Sequence, residues 1–279
     1  MPTTTELEQV VDLDRYPLLA PETEAYRQAV REARAQLEAI GAAEITGFLS
    51  VSGVEELLDD AKALAPRAHR SAGQATAYLE VPDFSLPEDH PRLTWGTYSL
   101  EAVAYDLMPK ASLLRRLYEW QPVTDFIAAI LDRGPLYPYA DPFGALNLAV
   151  MAQGDELQWH FDQTDFVVSL AIQSADHGGD FDVAPRIRSA DDECYDAVAE
   201  LLNGVHDAVV TLPMTAGTLL IFEGRHSLHR VSPIAGATVR LVGLLAYDTK
   251  PGTMGSDVLR QSRYGRTVAF ADPPEAWPA

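Results

Sequence analysis

The spacing of apolar residues changes character near residue 144. Before it the period is mostly helical. Ala25, Ala29, Ala33 and Leu37 recur every fourth position and predict a helix over 22–40 with Gly41 as its stop. Ser52-Gly53-Val54-Glu55 has the form of a capping box and predicts a second helix running towards Ala65, after a short strand at 44–49. Helical patterns return at 110–120 and 122–131, the latter with Pro122 in its first turn and Gly134 near its end. Residues 1–20 lack periodicity and read as a loosely ordered arm. Residues 66–108 are broken by Pro82, Pro87 and Pro91 yet carry Trp95, Tyr98 and Tyr105, so they form either a lid or a long surface connection.

From Gly144 the period shortens to two. Leu146, Leu148 and Val150 alternate with Asn147, Ala149 and Met151, and further strands are expected at 157–162, 166–172, 180–183, 207–212, 218–222, 226–231 and 238–247. One helix, 191–203, interrupts them, with acids at its start and Asn203-Gly204 at its end. Many short antiparallel strands after a helical start predict an α+β architecture: a double-stranded β-helix, the cupin-like jelly roll, with helices packed on its outside. A single domain over 1–279 is expected, helical to about residue 140, a jelly-roll core over about 141–250, and a tail from 251 that is either a closing flap or a contact with another subunit.

Composition narrows the function classes. With 47% apolar residues in 279, the chain can bury a sizeable core. Its 41 acidic against 21 basic residues give a net charge of −20, which disfavours nucleic acid and anionic membranes as partners. Cys194 has no second cysteine to pair with, and Met1 to Glu6 lacks the basic and apolar regions of a signal peptide, so a cytoplasmic location is expected. Oligomeric state is left open.

The candidate chemistry lies in Gln158-Trp159-His160-Phe161-Asp162. On a strand, His160 and Asp162 share a face and can chelate one ion; Gln158 shares that face, while Trp159 and Phe161 point the other way and read as packing. A third ligand must come from the remaining histidines. His69 and His90 precede the core, and His177 and His206 sit in polar, turn-like surroundings, which leaves His226 and His229 after the strand-like Gly217–Phe222. His229 is preferred because Arg240 follows it by eleven residues on the next apolar run, the arrangement of a metal ligand and an anion clamp. Two imidazoles and one carboxylate on one side of Fe(II) leave positions open for a co-substrate and O₂. Arg240 lies among Leu241, Val242, Leu244 and Leu245, and a buried guanidinium needs an anion. Asn147, polar within an apolar strand, either has an ordinary hydrogen-bond partner or faces the same pocket and touches the co-substrate.

On these residues, 144–250 resembles the Fe(II)/2-oxoglutarate-dependent dioxygenases, in which His-x-Asp and a distal His hold iron and an arginine about ten residues later binds the far carboxylate of 2-oxoglutarate. Trp159-His160-Phe161-Asp162, Gly178-Gly179-Asp180-Phe181, Ile187-Arg188-Ser189 and Gly224 to Val231 resemble more narrowly the subgroup of radical halogenases and hydroxylases of free amino acids. The resemblance implies iron, 2-oxoglutarate and O₂ as cofactor and co-substrates, and oxidation of an unactivated C–H bond by hydroxylation, desaturation or ring closure. In related halogenases a small residue replaces the carboxylate ligand to admit halide. Asp162 fills that position here, which implies oxygenation instead.

The narrower resemblance also implies a free, small, polar amino acid as substrate, such as lysine or ornithine. Arg92 or Arg225 would meet its carboxylate, Asp165 or Glu101 its ammonium, and Trp95 or Tyr98 would exclude water, with Gln158 and Gln163 as further contacts. An intermediate tethered to a carrier protein, another small natural-product intermediate, and a non-catalytic cupin-like metal-binding protein are the alternatives. A zinc hydrolase finds no Glu beside a His pair on a helix, and a Ser/His/Asp hydrolase has less support still.

Overall fold

The computed structural model describes residues 4–271. The first surprise is the amino-terminal arm, which is not loose. Helix α1 (Thr4–Val10) packs through Leu7 and Val10, and Val11, Tyr16 and Leu18 continue into the core. Too few apolar positions fall in this stretch to establish a period, but Leu7, Val10, Val11, Tyr16 and Leu18 are all buried.

Helix α2 (Glu24–Ile40) is capped by Thr23 and buries Tyr26, Val30, Ala33 and Leu37, the stripe expected of a helix lying on a sheet. Strand β1 (Ala42–Ile45) follows directly, earlier than the alternation suggested. Helix α3 (Val51–Leu64) begins two residues before the expected box, because Ser50 rather than Ser52 accepts the Gly53 N–H at 2.9 Å. Two serines compete there, and the approach of α1 favours the first: Gly53 lies directly against the Val10 carbonyl, with no room for a side chain.

The proline-broken region is largely a hairpin. Strands β2 (His69–Thr76) and β3 (Trp95–Val103) pair antiparallel along their length, from His69 opposite Ala102 to Thr76 opposite Trp95, and the prolines are confined to their connection. Helices α4 (Leu113–Tyr118) and α5 (Gln121–Leu131) then form much as expected, although α5 ends at Asp132 in a left-handed conformation rather than at Gly134. The remaining elements are β4 (Tyr137–Pro138), β5 (Leu146–Met151), β6 (Glu156–His160), β7 (Val167–Gln173), β8 (Phe181–Ala184), α6 (Tyr195–Leu202), β9 (Val210–Leu212), β10 (Leu219–Phe222), β11 (Leu228–Val231), β12 (Arg240–Leu245), β13 (Tyr247–Asp248) and α7 (Asp257–Tyr264). Helix α6 starts four residues later than expected, because residues 189–194 are spent on turns in which Ser189 and Asp192 bind nearby backbone N–H groups.

The strands hydrogen-bond in the order β1-β10-β7-β12-β5-β3-β6-β11-β8-β9, with β2 attached to β3 and β4 pairing separately with β13. Strand β3 joins the two halves: Glu101 to Val103 pair with β5, while Tyr98 and Ser99 pair with β6. This antiparallel, folded-over sheet with helices outside is the expected jelly roll. Its outer face carries Leu146, Leu148, Val168, Leu170, Ile221 and Leu241 into one core with α2 to α5. The alternate residues of the same strands, among them Asn147, Ser169 and Arg240, point inward. Among the described residues, no helix is long and apolar enough to cross a membrane.

Candidate metal centre and adjoining cavity

Strands β6 and β11 are antiparallel neighbours, and their register sets His160 directly opposite His229. The two rings lie 4.4 Å apart between centroids. Asp162 follows β6 in a bend held by its N–H to the Gly224 carbonyl at 3.0 Å, so the chain on the far side of the site fixes where the carboxylate points. One donor atom from each of His160, Asp162 and His229 falls within 4.8 Å of the others. Among the described residues no other cluster of three such groups forms, and His226 stays outside it, in the turn before β11.

The hydrogen bonds define which imidazole nitrogens are free. His160 Nδ1 lies 2.7 Å from the Gln158 carbonyl and His229 Nδ1 lies 2.9 Å from the Ser227 carbonyl. A carbonyl can only accept, so each Nδ1 carries the proton and each Nε2 presents a lone pair. These lone pairs point at the carboxylate: His229 Nε2 is 3.2 Å from Asp162 Oδ2, and His160 Nε2 is 3.9 Å from Oδ1. Asp162 Oδ2 is buried and has no hydrogen-bond donor. Two neutral acceptors facing one anionic acceptor repel each other unless a cation sits between them, and this donor set suits Fe(II).

The surroundings hold the charge states this requires. Burial, followed by the neighbouring His229, pushes His160 down to about 4, so it is neutral near pH 7. Burial would raise the Asp162 carboxyl, but His229, His160 and Arg263 together outweigh it and hold the group below the usual carboxylate range. Gly224 is indispensable to the packing: a Cβ there would overlap the carboxylate, with Asp162 Cγ only 2.8 Å away. Trp159 and Phe161 turn to the opposite face and pack in a cluster with Tyr78, Ala184 and Leu228.

Arg240 opens β12 beside Met151 of β5 and is 6% exposed. Its Nη1 contacts Met151 Sδ at 3.6 Å, and it forms no ion pair among the described residues. Burial lowers it to about 10, with Asp180 opposing the shift, so it remains charged near neutrality. Gly179 makes space for its stem; a Cβ at that position would stand 2.7 Å from Arg240 Cδ. A desolvated guanidinium on the inner face without a carboxylate partner can take an anion through two parallel hydrogen bonds. Asn147 faces inward from β5 and is 9% exposed, two strand positions from Ala149 and four from Met151.

In front of His160 opens a cavity of about 650 Å³, walled by β2, β3, β6 and α7. Trp95, Tyr98, Gln158 and Gln163 line it, as the sequence suggested for substrate contacts. Arg92, Asp165, Arg225 and Glu101 do not. Arg92 is held by Glu80 at 2.6 Å and by Tyr195 at 2.9 Å, and lies over the Tyr78 ring. Arg225 pairs with Asp165 at 2.6 Å and also donates to the Gln163 carbonyl, while Glu101 stands opposite Arg70 in the β2–β3 ladder.

Three residues with no part in the sequence argument belong to this neighbourhood. Thr76 and Arg263 line the cavity, and Glu156 lies on the same face of β6 as Gln158 and His160. The parity of Glu156 was available from the strand pattern. Arg263 was signalled only by the caps of α7, Ser256 before it and Gly265 after it.

The fold is the one found in Fe(II)/2-oxoglutarate oxygenases, and it brings together His160, Asp162 and His229 as a candidate metal-ligand set. More narrowly, the chain belongs to the halogenase D family, whose model matches residues 25–255. Among solved structures it is similar to the epimerase SnoN in complex with Fe3+, alpha ketoglutarate and nogalamycin RO, with TM-score 0.56, 15% identity and coverage of 88% of this chain and 94% of that one. The carbocyclase SnoK from nogalamycin biosynthesis is similar at TM-score 0.54, 17% identity and coverage of 90% and 94%. A prolyl hydroxylase from Trichoplax adhaerens, in complex with a hypoxia inducible factor peptide fragment, matches at TM-score 0.52, 16% identity and coverage of 79% and 90%. At these identities the likeness is one of fold. No curated protein matches the chain.

Proposed function

We propose that this protein is an Fe(II)- and 2-oxoglutarate-dependent oxygenase that hydroxylates an unactivated C–H bond of a small free amino acid. The observation that carries the reading is the buried Asp162 Oδ2, which has no donor and faces the Nε2 lone pair of His229 at 3.2 Å. When bound, iron and the keto acid supply the oxidising power: one atom of O₂ enters the substrate C–H bond, the other enters succinate, and CO₂ is lost.

The chain's own residues supply placement. His160, Asp162 and His229 would hold the metal, the tautomers of the two histidines being fixed by the Gln158 and Ser227 carbonyls. Arg240 binds the remote carboxylate of 2-oxoglutarate through its planar fork. The apolar part of the cavity, Leu79, Trp95, Tyr98 and Leu157, excludes water and orients the substrate carbon. A zwitterionic substrate is supported by charges of both signs, one on the cavity wall and one beside it. Arg263 lines the cavity, and nearby Glu156 is hydrogen-bonded only by neutral donors, Thr97 at 2.5 Å and Gln158 at 2.8 Å.

Asp162 is also the reason to propose oxygenation within a family named for halogenation, because the position a halide would need already holds a carboxylate. Anaerobic loading with Fe(II) and 2-oxoglutarate, then admission of O₂ with single amino acids, should give substrate-dependent succinate and a product heavier by one oxygen. Turnover confined to carrier-bound thioesters or peptides would overturn the free amino acid. A chlorinated product in the presence of chloride would overturn oxygenation.

A further inference from the structure

We propose that Arg263 and Thr76 form a carboxylate-binding subsite that recognises the substrate, with α7 acting as the wall that presents it. This rests on the oxygenase reading above and specifies how the cavity reads its ligand. The described residues contain five buried side-chain polar atoms without a hydrogen-bond partner, and three of them belong to this region: Asp162 Oδ2 at the metal centre, and Thr76 Oγ1 and Arg263 Nη1 on residues of the adjoining cavity. The first is accounted for by a metal. The other two line the cavity in front of His160, and both can donate.

A buried hydroxyl and a buried guanidinium nitrogen left without acceptors each cost free energy, so their joint presence on the adjoining β2 and α7 walls of one cavity marks the place of an absent acceptor. Its sign follows from the surroundings. Glu80, the acid on the cavity wall, is already paired with Arg92 at 2.6 Å, and Arg263 forms no ion pair among the described residues. Arg263 and His160 line the same cavity, so the guanidinium faces the space in front of the metal centre. An anionic group here would therefore be held close to the reacting carbon.

Helix α7 is anchored well enough to serve as a fixed wall. Tyr264 is buried and stacks on Phe143 with centroids 5.6 Å apart, while Arg260 reaches Asp141 at 3.2 Å. Arg266, just beyond the helix, pairs with Asp106 at 2.5 Å, and Ser71 of β2 donates to the Ser262 carbonyl at 2.9 Å. The helix thus spends Arg260 and its neighbour Arg266 on buried acids and leaves Arg263 for the cavity. A guanidinium and a hydroxyl together match the two oxygens of a carboxylate.

The test is a cycle that crosses the ligand's carboxylate with the arginine. Norvaline, norleucine, ornithine and lysine, each paired with its primary carboxamide, are titrated calorimetrically into wild type, R263Q, R263K and T76V. In wild type at least one acid should bind roughly 30-fold or more tightly than its amide, the ratio expected when a desolvated charged hydrogen bond is lost. R263Q should bring the ratio close to one, R263K should restore part of it, and T76V should reduce it several-fold. The affinity for 2-oxoglutarate should be unchanged in all three variants. Retention of the full preference in R263Q and R263K, absence of binding by all four acids, or a loss of 2-oxoglutarate affinity in place of probe affinity would each overturn the proposal. The absorption band of the anaerobic Fe(II)–2-oxoglutarate complex is recorded on the same samples; its absence from wild type would count against the oxygenase reading alone, since calorimetry reads the carboxylate preference without it.

Discussion

The two faces of the central sheet obey different rules. On the outer face, β5, β7, β10 and β12 offer leucine, isoleucine and valine to helices α2 to α5, and the side chains there are apolar and fully packed. On the inner face the alternate positions of the same strands, with β6 and β11, place buried polar groups with little to satisfy them: a carboxylate oxygen at Asp162 that has no donor, and a guanidinium at Arg240 that donates to a thioether and forms no ion pair among the described residues. The outer face lowers the free energy of the folded chain. The inner face raises it, and natural proteins keep such groups where a ligand completes them. The contrast separates what holds the fold from what binds.

Substitutions on the two faces should therefore fail in different ways. The largest effect is expected at His229: H229A should abolish Fe(II) binding and turnover while leaving the circular dichroism spectrum unchanged, and an active variant with full iron would break the contrast. R240A should come next. Removing a buried charged hydrogen bond costs on the order of 2–5 kcal/mol, so the apparent Kd for 2-oxoglutarate should rise by about 30-fold or more with iron binding retained. An unchanged keto-acid affinity would remove Arg240 from the site.

On the other face, Leu114 of α4 is completely buried against the sheet. L114A should lower stability to denaturant by about 2–4 kcal/mol and leave both affinities where they were, because the cavity it creates lies on the far side of the sheet. A change in 2-oxoglutarate affinity comparable to that of R240A would mean the two faces are coupled. The smallest effect is expected at His226, one turn of chain before the ligand strand and outside the metal cluster. H226A should keep iron affinity within about three-fold of wild type, the range of an ordinary surface substitution. If H226A lost iron and H229A kept it, the third ligand would have been assigned to the wrong histidine.

How much of this was legible in the sequence follows the same division. Strand alternation marked β5, β7, β10 and β12, and the same alternation placed Asn147 and Arg240 opposite the apolar positions, so the inner face was readable wherever a strand was long enough to count. The meeting of His160 with His229 depended on a register between distant strands, which the strand pattern does not contain; the spacing from His229 to Arg240 and the resemblance to a family pointed to the pair instead. Three features escaped. The β2–β3 hairpin was obscured because its prolines, which lie in the connection, dominate the local pattern. Arg92, Arg225 and Asp165 looked like free charges because their partners, Glu80 and one another, are fixed by tertiary contacts. Arg263 sits on an eight-residue helix whose polar composition masks that Tyr264 and Arg260 pin it to buried groups.

The most direct test of the account is an anaerobic titration of Fe(II) into the metal-free protein with 2-oxoglutarate present, followed by the metal-to-keto-acid charge-transfer absorption. The account predicts a band that saturates at one iron per chain, disappears in H229A, and needs far more 2-oxoglutarate in R240A. A wild-type protein that binds no iron, or one whose band survives H229A intact, would contradict it.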